Sequence, residues 1–232
     1  MLDARVVKRR EGFTVDVSLR VAAGEACGLF GASGAGKSTV LACLAGAETP
    51  DDGVIRLDEL TLFPPPLPLH RRPIGYLTQD ASLFPHLDVS QNVRFGLSNG
   101  VAGGSEDWIA ELREKLQIGS IWHQPAHAIS GGQARRVALA RMLARRPRLV
   151  LLDEPFSGLD RHLVRELIAA IAEWHALLGF ALLVVDHDAE VLARICPRAL
   201  AIEEGRVVQS GAWDALRAQP ATPLLAQLLA PL

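Results

Sequence analysis

This sequence has few cysteines, no long apolar run and only a small net charge. Three cysteines lie far apart in 232 residues without metal-ligand spacing, which argues against a disulfide framework and favours a reducing compartment. No apolar run approaches the roughly 20 residues that cross a bilayer, and early charges break any leader-like segment, so we expect neither a membrane span nor a signal peptide. A formal net charge of −2 lacks the basic excess of nucleic-acid-binding proteins, so we expect no nucleic-acid partner.

Short apolar, β-leaning runs alternate with helical patterns along the chain. The runs occupy residues 27–30, 74–78, 149–152 and 181–185, and the helical patterns occupy residues 37–45, 131–145 and 163–178. Continuous apolar runs favour parallel strands covered on both faces, so the alternation predicts an α/β domain with a mostly parallel sheet. Turn signals at residues 51–53 and 203–205 predict an antiparallel margin.

The middle of the chain has a different character. Strand signals are scarce between Gln79 and Arg146, where helical patterns dominate. We therefore expect one domain over residues 1–232, in which a helical lobe (residues 80–146) is inserted into an α/β core (residues 1–79 and 147–232).

The segment GLFGASGAGKST fits the pattern G-x-x-x-x-G-K-[ST], with a strand before it and a helix after it. Glycine lets consecutive backbone N–H groups turn towards phosphate oxygens, and the helix N-terminus adds its positive dipole end. Lys37 is expected to reach the β- and γ-phosphates of a nucleotide, and Ser38 to ligate Mg²⁺. The predicted nucleotide-binding residues here are Gly31, Ala32, Ser33, Gly34, Ala35, Gly36, Lys37, Ser38 and Thr39.

The segment RLVLLDEP places two carboxylates at the end of a predicted buried strand. Ligands bind at the carboxyl ends of strands in open α/β sheets. Asp153 is therefore the expected Mg²⁺ ligand, and Glu154 the residue that orients and activates an attacking water.

The segment AISGGQARRVALARML reads as a helix that begins on two glycines. Ser130 is the expected N-cap, and Gln133 completes a capping box. Each glycine weakens a helix by about 0.8–1 kcal/mol relative to alanine. The cost suggests that a negatively charged group approaches the backbone at Gly131 and Gly132.

Together with SGLD and VVDHD, these motifs resemble the ATP-binding subunits of ABC transporters, over nearly the whole chain and in the family's order. The resemblance implies a P-loop NTPase core and ATP hydrolysis coupled to transport. It also implies an ATP-dependent head-to-tail dimer. The phosphate loop of one copy would face Ser130, Gly131, Gly132 and Gln133 of the other copy.

Further roles follow from the same resemblance. Gln79 would contact Mg²⁺ and the attacking water, His187 the γ-phosphate, and Asp160 would signal across the dimer. The segment after Gln79 would contact a transmembrane permease, with Phe84 either a surface anchor or part of the lobe core. The resemblance implies a peripheral location on the cytoplasmic face of the cell (inner) membrane.

The chain departs from the family where an aromatic residue usually stacks on adenine. Lys8, Arg9 and Arg10 occupy roughly that stretch, so an arginine or Phe13 substitutes, or base selectivity is loose. The segment LTLFPPPLPLHRRPIGYLTQDASLFPH is most similar to molybdate importers, although their C-terminal oxyanion-binding domain is not expected here. Uptake of iron, thiamine, polyamines or sugars, and a soluble ABC-type ATPase without a transporter, remain alternatives.

Overall fold

A computed structural model describes residues 1–80, 82–97 and 105–230. The strands are β1 (Leu2–Arg10), β2 (Phe13–Val21), β3 (Ala26–Phe30), β4 (Asp52–Leu57), β5 (Leu60–Phe63), β6 (Ile74–Leu77), β7 (Leu149–Asp153), β8 (Ala181–Val185), β9 (Arg198–Glu203) and β10 (Arg206–Ala212). The α-helices are α1 (Lys37–Ala45), α2 (Val89–Phe95), α3 (Glu106–Lys115), α4 (Gly131–Leu143), α5 (Arg161–Leu178), α6 (Ala189–Ala193), α7 (Trp213–Ala218) and α8 (Pro223–Leu229). Within these described residues, no helix is both long enough and apolar enough to cross a bilayer.

The larger sheet has six strands in the order β10-β9-β3-β8-β7-β6. Every neighbouring pair is parallel except β10 with β9, so the expected antiparallel margin is present at one edge. All five residues of β3, β7 and β8 are buried, as continuous apolar runs predict. Alternate residues of these strands enter two separate cores, one on each face of the sheet.

A second sheet, β2-β1-β4-β5, is antiparallel and was not predicted from the sequence. Its two longest strands, β1 and β2, alternate apolar residues with polar or charged ones over much of their length instead of forming apolar runs. The buried side chains of this sheet share one core with α1, which contacts strands of both sheets. The helix that follows the phosphate loop is therefore packed between two sheets, which fixes the direction of the loop.

The proline-rich segment between β5 and β6 is mostly exposed, as a surface loop would be, but Arg72 is an exception. Its side chain is only 2% exposed and donates to the carbonyls of Cys43, Leu44, Leu62 and Leu67. Two of these carbonyls belong to the last turn of α1, so the guanidinium caps that helix.

Residues 80–146 contribute α2, α3 and α4, and the described part of this region adds no strand to either sheet. Ser105 caps α3 and accepts a hydrogen bond from the Trp108 backbone. The helix starts at Glu106. The buried apolar residues of this region belong to the core on one face of the larger sheet; among them is Trp108, whose indole donates to the Leu143 carbonyl.

Candidate functional site

The glycine-rich loop leaves β3 and turns sharply before α1. Gly31 has a φ of 156°, and a Cβ there would lie 2.1 Å from the Ile202 carbonyl oxygen, so only glycine fits. Gly36 has a φ of 99° and occupies the N-cap of α1 without a capping side chain. Because no side chain blocks this end, the first N–H groups of α1 can serve an anion.

Lys37 lies inside this loop and not on its surface. Its side chain is nearly buried, and Nζ donates to the carbonyls of Gly31 and Ala32, 2.8 Å from each. Burial lowers the pKa of Lys37, while the charges of Glu154, Asp153 and Asp186 act in the opposite direction. The ammonium group is thus held by two loop carbonyls, while the charges of three carboxylates act on it.

Ser38 and Asp153 meet at the start of α1 and the end of β7. Ser38 Oγ donates to Asp153 Oδ1 over 3.1 Å, although 115 residues separate them. Burial raises the pKa of Asp153, and the hydrogen bond from Ser38 partly offsets this. A hydroxyl and a carboxylate are hard oxygen ligands that suit Mg²⁺. The described residues contain no cluster of three or more His, Cys, Asp or Glu that could hold a metal by themselves.

Gln79 and Glu154 converge beside this pair. Gln79 Nε2 donates to Glu154 Oε2 over 3.4 Å, linking the segment after β6 to the segment after β7. Glu154 has a φ of 46°, which is uncommon for a residue with a side chain. Its backbone N–H donates to the Val185 carbonyl of β8 at 2.9 Å, which ties the strained residue to the sheet.

Asp186 and His187 follow β8 at the same sheet edge. Asp186 is buried, which raises the pKa of its carboxyl group, and Oδ1 accepts from the Asp188 backbone. His187 Nδ1 lies 3.3 Å from Asp186 Oδ1, while the imidazole is 71% exposed. The imidazole is therefore anchored at one nitrogen and open to an incoming ligand at the other.

Ser130, Gly131, Gly132 and Gln133 begin α4. The two side chains form the predicted capping box: Ser130 Oγ accepts from the Gln133 backbone, and Gln133 Oε1 accepts from the Ser130 backbone. Neither glycine lies in the left-handed region, and a Cβ on Gly131 would meet nothing within 4 Å. In the described part of the chain, no hydrogen bond or ion pair joins this segment to the phosphate loop. No contact among the described residues of one chain therefore requires glycine at position 131.

Asp160 caps α5, accepting from the backbone N–H groups of His162 and Leu163, and these bonds lower its pKa. Within one chain this residue therefore has a helix-capping role.

Phe84 is half-buried, with its ring 4.5 Å from the Phe95 ring and the Arg141 guanidinium 4.9 Å from its centroid. Ser82 and Pro85 beside it are exposed, whereas Ala81 lies outside the described residues.

In the stretch before the phosphate loop, basic side chains form ion pairs with carboxylates. Lys8 pairs with Glu48 and Asp51, and Arg10 pairs with Glu48. Phe13 begins β2, and its ring lies 3.3 Å from the place a Cβ on Gly36 would take. Phe13, one of the residues considered above for stacking on adenine, is thus an aromatic residue that lies beside the phosphate loop.

Sequence reasoning missed one residue that reaches this site from α4. The guanidinium of Arg135 donates to the backbone carbonyls of Glu154, Ser157 and Gln79. Arg135 lies four residues after Gly131, hence on the same helix face, but this spacing does not indicate which segments its guanidinium contacts.

Comparisons with known proteins bear on the whole chain. Residues 14–157 match the family model described as ABC transporter. The molybdenum import ATP-binding protein ModC of Rhodopseudomonas palustris is 38% identical over 224 residues, covering 93% of this chain and 58% of that protein. The Fe(3+) ions import ATP-binding protein FbpC of Pseudomonas fluorescens is 42% identical over 200 residues, covering 85% of this chain and 56% of that protein. The thiamine import ATP-binding protein ThiQ of Jannaschia sp. is 39% identical over 227 residues, covering 97% of this chain and 98% of that protein.

The chain thus spans under two thirds of the ModC and FbpC relatives and nearly all of ThiQ. A solved structure titled as the ATP binding subunit of an ABC transporter superposes with a TM-score of 0.84 at 25% identity, covering 99% of this chain and 100% of that one. A dimeric bacterial ABC transporter cassette superposes with a TM-score of 0.81 at 24% identity, covering 91% of this chain and 98% of that one. These likenesses confirm the predicted α/β P-loop NTPase fold class.

Proposed function

Because this chain belongs to the ABC transporter family, we propose that it is the ATP-binding and ATP-hydrolysing subunit of an ABC importer. The observation that carries the proposal is the convergence of two contacts at one sheet edge. Ser38 donates to Asp153, and Gln79 donates to Glu154, although each pair is widely separated in sequence. A metal ligand pair and a water-orienting pair beside a phosphate loop are the parts that phosphoryl transfer to water needs.

The phosphate loop would hold the triphosphate through backbone N–H groups and Lys37. On binding, Lys37 would exchange its two loop carbonyls for phosphate oxygens. Ser38, Asp153 and Gln79 would hold Mg²⁺, which neutralises phosphate charge when bound. Glu154 would accept a proton from the attacking water, and His187 would donate to the γ-phosphate through its open nitrogen.

For the adenine, the proposed contact is Phe13, whose ring would stack on the base. Its ring flanks the phosphate loop, whereas Lys8 and Arg10 are engaged by carboxylates. An aromatic ring stacks on any base, so base selectivity is expected to be loose.

The second half of the site would come from a second copy of this chain, arranged head to tail in the presence of ATP. Gly131 supports this assignment because its own chain leaves the backbone open there. Ser130, Gly131, Gly132, Gln133 and the N-terminus of α4 would then meet the γ-phosphate held by the partner copy, and Asp160 would lie at the same interface. A relative of known structure at 25% identity is titled as a dimeric, post-hydrolysis cassette bound to ADP and Pi.

A transmembrane permease is the proposed membrane partner, contacting the segment after Gln79. Exposed Ser82 and Pro85 flank the half-buried Phe84, so a permease helix could reach the edge of that ring. On this proposal, the subunit would lie on the cytoplasmic face of the cell membrane, bound through its partner. The division into a core (1–79 and 147–232) and a helical lobe (80–146) is part of the same proposal.

For the transported solute, we propose molybdate or a related small solute, since relatives named for molybdenum import are prominent. Relatives named for Fe(3+) and thiamine import keep those cargoes as alternatives. A soluble ABC-type ATPase without a transporter is the second candidate class, and co-purification of membrane subunits would separate the two.

The test is a purified Glu154→Gln variant, weighed in solution with and without ATP and Mg²⁺. The proposal predicts an ATP-dependent dimer that hydrolyses ATP at least about 100-fold more slowly than the unsubstituted chain. Glu114→Gln, the same change on the exposed side of α3, is the matched control and should behave like the unsubstituted chain. A Glu154→Gln protein that binds ATP yet stays monomeric at high concentration would overturn the composite site.

A further inference from the structure

Arg135 joins three loops that surround the proposed catalytic base. Its Nη1 lies 2.8 Å from the Glu154 carbonyl oxygen and 2.9 Å from the Ser157 carbonyl oxygen. Its Nη2 donates to the Gln79 carbonyl. One side chain from α4 thus contacts the backbone of both residues that would hold the attacking water.

The Glu154 backbone is the part of this arrangement that needs holding. A non-glycine residue at positive φ costs about 1–3 kcal/mol and persists only where its surroundings fix it. Three hydrogen bonds fix Glu154: its N–H donates to Val185, and its carbonyl accepts from Ser157 N–H and from Arg135. Arg135 supplies the only side chain among these three contacts.

The chemistry of the contact selects arginine. Its planar fork can serve several carbonyls at once, whereas lysine offers a single point of contact on a flexible stem. No carboxylate within hydrogen-bonding or ion-pairing distance engages Arg135 in the described residues, although Asp80, Glu154 and Asp186 act on it electrostatically. The guanidinium therefore donates to backbone carbonyls, as expected for a residue that positions the backbone.

We propose that Arg135 is a positioning residue for ATP hydrolysis: it holds the Glu154 and Gln79 backbones so that both side chains aim at one water. The inference rests on the proposed ATPase function and deepens it. It also makes catalysis depend on the placement of α4, since the same helix carries Arg135 and, at its first turn, the segment offered to the partner copy.

The test is a double-mutant cycle between Arg135→Gln and Glu154→Gln, with single-turnover ATP hydrolysis and ATP affinity as readouts. In the otherwise unsubstituted chain, Arg135→Gln should lower kcat by about 10- to 100-fold, because a small misplacement of a catalytic group is that costly. KM and ATP affinity should change by less than about threefold, since the phosphate loop is untouched. In the Glu154→Gln background, Arg135→Gln should change the residual rate by less than about twofold.

Two further variants complete the design. Arg135→Lys keeps the charge and should recover only part of the rate, which guards against a misfolded Arg135→Gln protein. Arg136→Gln is the matched control, because that arginine donates to the Leu116 and Gln117 carbonyls, away from the site, and should leave kcat unchanged. Thermal unfolding of every variant identifies any loss of folded protein.

The outcomes are distinguishable. An unsubstituted chain that hydrolyses no ATP refutes the proposed function and leaves no base for Arg135 to position. An active chain in which Arg135→Gln has unchanged kcat refutes the inference alone. Equal losses with and without Glu154 refute it as well, since Arg135 would then act independently of the base.

Discussion

Ser38 Oγ lies 3.1 Å from Asp153 Oδ1, which joins the first turn of α1 to the last residue of β7. Both elements are packed tightly: α1 lies between two sheets, and every residue of β7 is buried. The hydroxyl and the carboxylate are therefore held at a fixed separation, so a small dication can exploit them without rearranging the fold. The pair therefore suits the Mg²⁺ site proposed above, since hydroxyl and carboxylate oxygens are ligands that this ion accepts.

The Asp153→Asn variant tests this ligand pair. Replacing the carboxylate by an amide removes the charge that offsets the dication, so ATP hydrolysis should fall by about 100-fold or more. The Mg²⁺ concentration for half-maximal activity should rise, while ATP affinity measured with EDTA should stay unchanged. Titrations of hydrolysis against Mg²⁺ check the first result, and equilibrium binding checks the second. An Asp153→Asn protein with a normal Mg²⁺ requirement would remove Asp153 from the metal site.

The Gly131→Ala variant distinguishes the stability of a single chain from the formation of the proposed dimer. A Cβ meets nothing within 4 Å in one chain, so alanine should preserve stability or raise it by up to about 1 kcal/mol. The same Cβ would enter the space proposed for the partner's γ-phosphate. We therefore expect ATP-driven dimerisation and hydrolysis to fall by at least about tenfold, a cost of 1.4 kcal/mol.

Gly119→Ala is the matched control for that experiment, because a Cβ there makes only ordinary contact with Arg113. Denaturant unfolding reports stability, and light scattering with ATP reports dimerisation. Normal dimerisation and hydrolysis by Gly131→Ala would contradict the close approach on which the composite site depends.

A feature of the fold or of the site could be predicted from the sequence where its signal lies in one contiguous segment. The strands β3, β7 and β8 are continuous apolar runs, and the phosphate loop is one contiguous motif, so both could be predicted. The strands β1 and β2 interleave polar or charged residues with apolar ones, which hides them in a search for apolar runs. Arg135 could not be assigned because its three partners, Gln79, Glu154 and Ser157, lie on other segments that only the fold brings to α4.

Arg72 gives a stability prediction of the same non-local kind. Arg72→Met should lower the free energy of unfolding by about 3 kcal/mol, because buried carbonyls at the end of α1 and around β5 lose their donor. Arg71→Met, at the exposed neighbouring position, should change it by no more than about 0.5 kcal/mol. Urea unfolding of the two variants makes the comparison, and equal, small effects would show that the carbonyls find other donors.

Glu25 and Arg198 give a pH-dependent prediction, because they link the segment before β3 to the start of β9. The Arg198 guanidinium, together with the Ala22 backbone N–H, holds the pKa of Glu25 below its usual 4.5, although burial opposes this. A carboxylate with a depressed folded-state pKa stabilises the fold above its unfolded pKa and loses that contribution as the pH falls through the folded value. Glu25→Gln should therefore cost about 1 kcal/mol of stability at pH 7, and the difference from the unsubstituted chain should shrink once the pH falls below about 4.5. Urea unfolding across that range measures the difference; a cost that stays constant at acid pH would mean that packing of the side chain, and not its charge, is responsible.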